Sequence, residues 1–102
     1  MHQNCGVEKT LKIIGSRWTM HILHGLFNGT KRFGELQKSL DGISTKTLSL
    51  RLKELEKEKI IKKRVFAEVP LHVEYSLTEK GISLGDIFKK MAHWGEHHHL
   101  KQ

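Results

Sequence analysis

Thr45, Lys46, Ser49, Leu50 and Lys53 are the densest set of chemically useful side chains in the sequence. With Leu48 at the centre of a buried helical side and a step of about 100° per residue, Lys46, Leu50, Lys53 and Lys57 fall on the opposite side. Thr47 and Ser49 flank them. Ammonium groups reach phosphates or guanine, hydroxyls bond phosphates or base edges, and an outward leucine can meet a thymine methyl. Together they suit the surface of a double-stranded nucleic acid. The competing reading is a solvated amphipathic helix whose lysines pair with Glu54 and Glu56.

These side chains need a scaffold, and the flanking sequence supplies its parts. Phe33, Leu36 and Leu40 follow the i, i+3, i+7 rule of a helix over 33–40. Asp41-Gly42 makes a turn, Ile43 plugs it, and Ser44 is placed to cap a helix over 45–58. Leu48, Leu52 and Leu55 stack on that helix's inner side. The period then changes: residues 60–68 favour a strand, Pro70-Leu71 a hairpin tip, and 72–77 a second strand. There Val73, Tyr75 and Leu77 face inward, while His72, Glu74 and Ser76 face water. The order is a helix-turn-helix (about 32–58) followed by a wing (about 60–77). In such an arrangement Thr45, Lys46, Ser49 and Leu50 lie nearest base edges. Thr30, Lys31 and Arg32 precede the first helix and can hold phosphates that set its register. Lys62, Lys63 and Arg64 offer further phosphate contacts, or serve as a charged edge that resists aggregation.

The ends of the chain read as helices. Val7, Leu11 and Ile14 share one side of a helix over 7–14, and Gly15 is placed to end it in a left-handed turn. Ser16 is the expected cap of a helix over 17–27, with Trp18, Ile22, Leu23 and Leu26 inward. Asn28-Gly29 stops it, and Thr30-Lys31 predicts a short edge strand. Thr78 caps a last helix over about 78–98. Its apolar band, Ile82, Leu84, Ile87, Phe88, Met91 and Trp94, is wider than one small domain covers. Part of it is expected to be a dimer seam.

Composition narrows the function. The 102 residues are expected to make one domain, 1–102, with a formal charge of +7, which favours a polyanionic partner. A single cysteine excludes an intrachain disulfide, and a cytoplasmic setting follows as the expectation. The start lacks a signal peptide's apolar run, and no window suits a membrane span. No Gly-rich phosphate loop, paired-carboxylate site or nucleophile–base set points to an enzyme. His93 and His97 are spaced to share a helical side. No Cys or carboxylate pattern completes a site around them, so neither metal nor cofactor is expected. Cys5 stands just before a helix N-terminus, where the dipole favours the reactive thiolate.

An ordered set of short matches spans nearly the whole chain. It runs Cys5-Gly6-Val7-Glu8, Ile14-Gly15-Ser16-Arg17-Trp18, Lys31-Arg32-Phe33-Gly34-Glu35-Leu36 and Gly42-Ile43-Ser44. It continues through Leu48, Leu52-Lys53-Glu54-Leu55-Glu56, Ala67-Glu68-Val69-Pro70, Val73-Glu74-Tyr75-Ser76-Leu77-Thr78, Gly81 and Trp94-Gly95. In these the sequence resembles the HxlR-type winged-helix transcription regulators, relatives of the MarR regulators. The resemblance implies a homodimeric bacterial or archaeal DNA-binding regulator with dimer contacts from its first and last helices. It also implies that Cys5 can sense oxidants or electrophiles. Three residues depart from the family's pattern. His72 stands where arginine is usual at the wing, and suits a narrow minor groove less well. Lys59 replaces a glycine after the recognition helix, so that helix is expected to end differently. Gly6 replaces a proline and loosens the cysteine's segment.

The expectation is therefore a mainly α domain with a small β-hairpin wing (α+β), dimeric through Val7, Leu11, Leu84, Ile87, Phe88, Met91 and Trp94. Its function would be sequence-specific transcription regulation on a palindromic operator, with room for a small-molecule or oxidant effector. The alternative is a winged-helix protein-interaction module that never touches DNA.

Overall fold

Hydrophobic spacing and caps divide the chain much as expected. A computed structural model describes residues 5–98. Four helices and a short strand come first: α1 (Gly6–Ile14), α2 (Arg17–Phe27), β1 (Lys31–Arg32), α3 (Phe33–Ser39) and α4 (Thr45–Lys57). A hairpin of β2 (Ile61–Phe66) and β3 (His72–Leu77) follows, then α5 (Glu79–Ile82) and α6 (Leu84–His97). His2 and His99 lie outside the described residues.

The sheet is antiparallel in the order β1-β3-β2. Its register sets Arg32 against Glu74 and, on the other side, Arg64 against Glu74. β3 is thus the central strand. For that reason Glu74, flanked by Arg32 and Arg64, is half-buried rather than wet; His72, stacked on Phe66, and Ser76, opposite Lys62, are half-buried as well. The edge strand falls at residues 31–32, one position later than Thr30-Lys31 suggested.

Ile22 and Leu23 of α2, Leu36 of α3, Leu48 and Leu52 of α4, and Ile60 form the centre of the core. Each such side chain stabilises the fold by about 1.5–3 kcal/mol relative to exposure. The inner face of the sheet closes the core with Ile61 and Tyr75.

Glycines act by two different means. Gly42 takes φ +88° in the turn between α3 and α4, which a side chain would strain. Gly15 does not make the left-handed turn expected of it: its φ is −73°. What requires glycine there is space, because a Cβ would collide with the Leu11 carbonyl. Ser16 occupies the cap position of α2 in extended conformation, but its hydroxyl makes no capping bond.

The single helix expected after Thr78 is two. The Thr78 hydroxyl accepts from the Gly81 N–H at 3.1 Å and caps the short α5. A Cβ on Gly81 would strike the Ile60 carbonyl, so α5 lies hard against the start of the hairpin. α6 then begins at Leu84 and leaves the body of the molecule. Leu84 and Phe88 pack inward, Phe88 edge-on to Phe27 with centroids 5.7 Å apart. After Phe88 the helix is exposed but for the half-buried Gly95.

Candidate nucleic-acid interface

The N-terminal end of α4 is fixed twice. Ser44 is extended, and its Oγ accepts the Thr47 N–H at 3.0 Å, as a serine cap should. Gln37 on α3 donates from Nε2 to the Thr45 hydroxyl at 2.9 Å, so one helix grips the first residue of the next. Nothing in the spacing of the sequence announces Gln37, because the bond joins two elements across a turn.

From that anchored end, Lys46, Leu50, Lys53 and Lys57 all project outward. Leu50 is 52% exposed while Leu48, two residues away, is sealed in the core. Ser49 is half-buried at the flank, and Thr47 is occupied by the cap. The carboxylate of Glu54 pairs with Arg51 at 2.9 Å rather than with a lysine. Lys46, Lys53 and Lys57 have no ion-pair partner within 4 Å among the described residues. Their charge faces solvent uncompensated, which is the state a polyanion would exploit.

The C-terminal end of α4 is as firmly held. Lys59 adopts φ +60°, the left-handed region, so the helix ends in the very conformation that a glycine would supply. The expected change of ending does not occur. The Ile60 N–H donates to the Leu55 carbonyl and the Lys59 N–H to the Glu56 carbonyl, both at 2.9 Å, the pair of bonds of a Schellman ending. Ile60 and Leu55 are both buried beneath it. Thr78 donates its hydroxyl to the Lys59 carbonyl, and Lys80 Nζ to the Glu58 carbonyl at 2.8 Å. These contacts outweigh the left-handed cost of a lysine, about 1–2 kcal/mol.

Around the hairpin the cations are arranged in rows. Arg32, Glu74 and Arg64 lie side by side across the sheet, and Lys62 lies opposite Ser76. Arg32 also begins α3, its N–H bonded to Glu35 Oε1 at 2.8 Å. Lys62, Lys63 and Arg64 are exposed on the edge strand, and Lys31 is half-buried. The Arg64 guanidinium sits over the Phe66 ring at 4.8 Å, and Phe66 stacks on His72 at 4.6 Å. The His72 side chain is 15% exposed and lies between carboxylates, Nε2 3.3 Å from Glu74 and Nδ1 3.7 Å from Glu68. The hairpin tip itself is apolar: Val69 and Leu71 are exposed on either side of Pro70, which follows a cis peptide bond.

A second exposed region has the opposite chemistry. Val7 and Leu11 of α1 and Ile87, Met91 and Trp94 of α6 all show to solvent, Trp94 to 54%. Cys5 caps the backbone of α1, half-buried, and its carbonyl accepts the Lys9 N–H at 3.0 Å. On α6, His97 Nδ1 lies 2.8 Å from the His93 carbonyl. Among the described residues no three His, Cys, Asp or Glu side chains gather as metal ligands. No described helix is long and apolar enough to cross a membrane. Among the described residues the clear shift of acidity is at Tyr75, whose phenol is pushed above its usual value by burial and then by the Glu56 carboxylate.

A helix-turn-helix anchored at both ends, followed by a two-stranded wing beside an unpaired cationic face, defines a winged helix-turn-helix protein of the kind used in transcription regulation. Comparison places it further: the HxlR-like helix-turn-helix family profile matches residues 13–102, and the chain belongs to that family. The transcriptional regulator YodB of Bacillus subtilis (strain 168) is 41% identical over 90 residues, covering 88% of this chain and 80% of YodB. A structure of reduced YodB superposes with a TM-score of 0.81, at 40% identity, covering 90% of this chain and 91% of that one. The redox regulator HypR in its oxidised form gives 0.84 at 39% identity, covering 95% and 100%. A structure assigned to the MarR family, from Porphyromonas gingivalis W83, gives 0.88 at 35% identity, covering 97% of each chain.

Proposed function

We infer that this protein is a cytoplasmic, non-enzymatic transcription regulator that binds a palindromic operator as a homodimer. α4 would enter the major groove, with Thr45, Lys46, Ser49 and Leu50 at base edges and Lys53 at its margin. Lys31, Arg32, Lys62 and Arg64 would hold phosphates on either side. Val7, Leu11, Ile87, Met91 and Trp94 supply the apolar area for a two-fold seam, since Leu84 and Phe88 are largely used within the chain's own core. The observation that carries the reading is the outward side of α4: three unpaired lysines and an exposed leucine on a helix fixed at both ends. His72, shielded by two carboxylates, would contribute less to the wing's grip than the arginine typical of the family.

Gel-shift and anisotropy assays with the chain's own upstream DNA test this directly. Lys46→Ala and Ser49→Ala should change sequence preference. Lys62→Ala should weaken binding to cognate and scrambled DNA alike. Absence of any binding to upstream DNA at low salt would favour a protein-interaction module instead.

Cys5 is the proposed effector site. Its place at the start of α1, beside the proposed seam, and its likeness to regulators studied in reduced and oxidised forms support this. With no second thiol in the chain, oxidation would join Cys5 to the partner subunit's Cys5 or to a small thiol, with two protons and two electrons passing to the oxidant. Operator affinity should change on diamide treatment and stay constant in Cys5→Ser. An unchanged affinity in the wild type would remove Cys5 from the mechanism.

A further inference from the structure

Thr45 opens α4, and its hydroxyl makes one bond among the described residues, with Gln37 Nε2 at 2.9 Å. That bond fixes more than a position. A threonine hydroxyl carries one proton and two acceptor lone pairs, whereas an amide nitrogen can only donate. Gln37 therefore occupies a lone pair of the Thr45 oxygen, and the Thr45 proton must point elsewhere. No described residue accepts it.

The neighbouring hydroxyls behave differently. Ser44 Oγ accepts the Thr47 N–H and bonds the Thr47 hydroxyl, both at 3.0 Å, so these two are spent on the cap. Thr45 is exposed, and the glutamine behind it is half-buried on α3. With its inner side taken, the Thr45 hydroxyl has only its solvent side on which to use the proton. Lys46, the next residue, is exposed and can also only donate.

We propose that Gln37 is a positioning residue for DNA recognition: it makes Thr45 a hydrogen-bond donor, so the DNA atom that Thr45 meets is an acceptor. This rests on the reading of α4 as the helix that enters the groove. In the major groove, purine N7, guanine O6 and thymine O4 are acceptors, while cytosine offers only its amino donor. On the strand, phosphate oxygens are acceptors too. Through Gln37, α3 takes part in recognition without touching DNA.

The test is a double-mutant cycle on the full chain, read as affinity for its upstream DNA by anisotropy, with urea melts to show that each variant is folded. Thr45→Val should weaken binding about fivefold. Gln37→Glu supplies an acceptor that draws the Thr45 proton inward, and should cost at least as much. Its negative charge also repels DNA, and Gln37→Glu in the Thr45→Val background measures that part alone. Gln37→Met, uncharged and of similar length, should cost about threefold with Thr45 present and nothing with valine in its place. A glutamine that merely supports the fold would cost the same in both backgrounds, which overturns the proposal. So does a Gln37→Glu loss no larger than its charge effect, the result expected if Thr45 donates to the Gln37 carbonyl instead. Guanine analogues lacking N7 and single-base changes probe base acceptors, and methylphosphonate linkages probe phosphates. The modification that weakens wild type but not Thr45→Val identifies the acceptor, and equal losses at every position refute the donor role. Wild-type protein that ignores upstream DNA overturns the reading of α4 itself, whereas binding without coupling overturns only the role of Gln37.

Discussion

The outward sides of α4 and α6 are both exposed and chemically opposed. α4 shows Lys46, Lys53 and Lys57 around a lone Leu50, while α6 shows Ile87, Met91 and Trp94. Each helix keeps its inner side in the same domain, α4 by Leu48, Leu52 and Leu55, α6 by Leu84 and Phe88. The core therefore dictates neither outer surface. What differs is the partner each could satisfy: a charged face gains from a polyanion, and an apolar face gains from removal of water. One domain can thus serve two partners without either surface compromising the other.

Salt should separate the two faces most widely. If a dimer neutralises six or more phosphates, its DNA affinity should fall by about 10³-fold or more between about 50 and 200 mM salt. Self-association should hardly change over that range, because apolar burial is not screened. Anisotropy and sedimentation on the same samples would show it, and a self-association as salt-sensitive as DNA binding would erase the contrast. Next in size is Met91→Lys, which puts a charge into the apolar face. It should weaken dimerisation by about thirtyfold or more, the loss of a buried interface anchor of about 2 kcal/mol. An unaltered dimer would move the seam off α6.

The same contrast shows what could be read from the sequence. α4 was legible because its determinants are local: a serine cap, a Gly turn before it, and three leucines at helical spacing. The core side of α6 was less so. Leu84, Phe88, Ile87 and Met91 are alike in type, and only the position of Phe27 decides that Phe88 turns inward. Gly15 and Gly42 look the same in sequence, yet one answers to a neighbouring carbonyl and the other to its own φ. The half-burial of Glu74 depended on a two-residue strand pairing some forty positions away. The bond from Gln37 to Thr45 depends on packing between helices, which no periodicity records.

At the end of α4, Lys59 offers a smaller test. Its backbone is held at φ +60° by the Schellman bonds, so Lys59→Gly should relieve strain and raise stability by about 1 kcal/mol in a denaturant melt. The cationic face would lose nothing, since Lys46, Lys53 and Lys57 remain. A destabilised variant would mean that the lysine's own contacts matter more than its backbone.

The smallest effect belongs beneath both faces, at Tyr75 on the inner side of the sheet. Its phenol is raised above the usual value, first by burial and then by Glu56, so the folded state resists ionisation that the unfolded chain accepts. Below the unfolded value, about 10, both states keep the proton and Tyr75 contributes no pH dependence. As pH rises through that value the unfolded chain releases its proton first, and stability declines until the folded phenol also ionises. Because the chain has one tyrosine, tyrosinate absorbance reports this group alone. Its midpoint in the folded protein should lie above that of the urea-unfolded chain, and Tyr75→Phe should flatten the alkaline loss of stability. Glu56→Gln should lower the midpoint only in part, because burial is the larger cause. If Glu56→Gln removed the whole shift, α4 would be holding the sheet's tyrosine by charge rather than by exclusion of water.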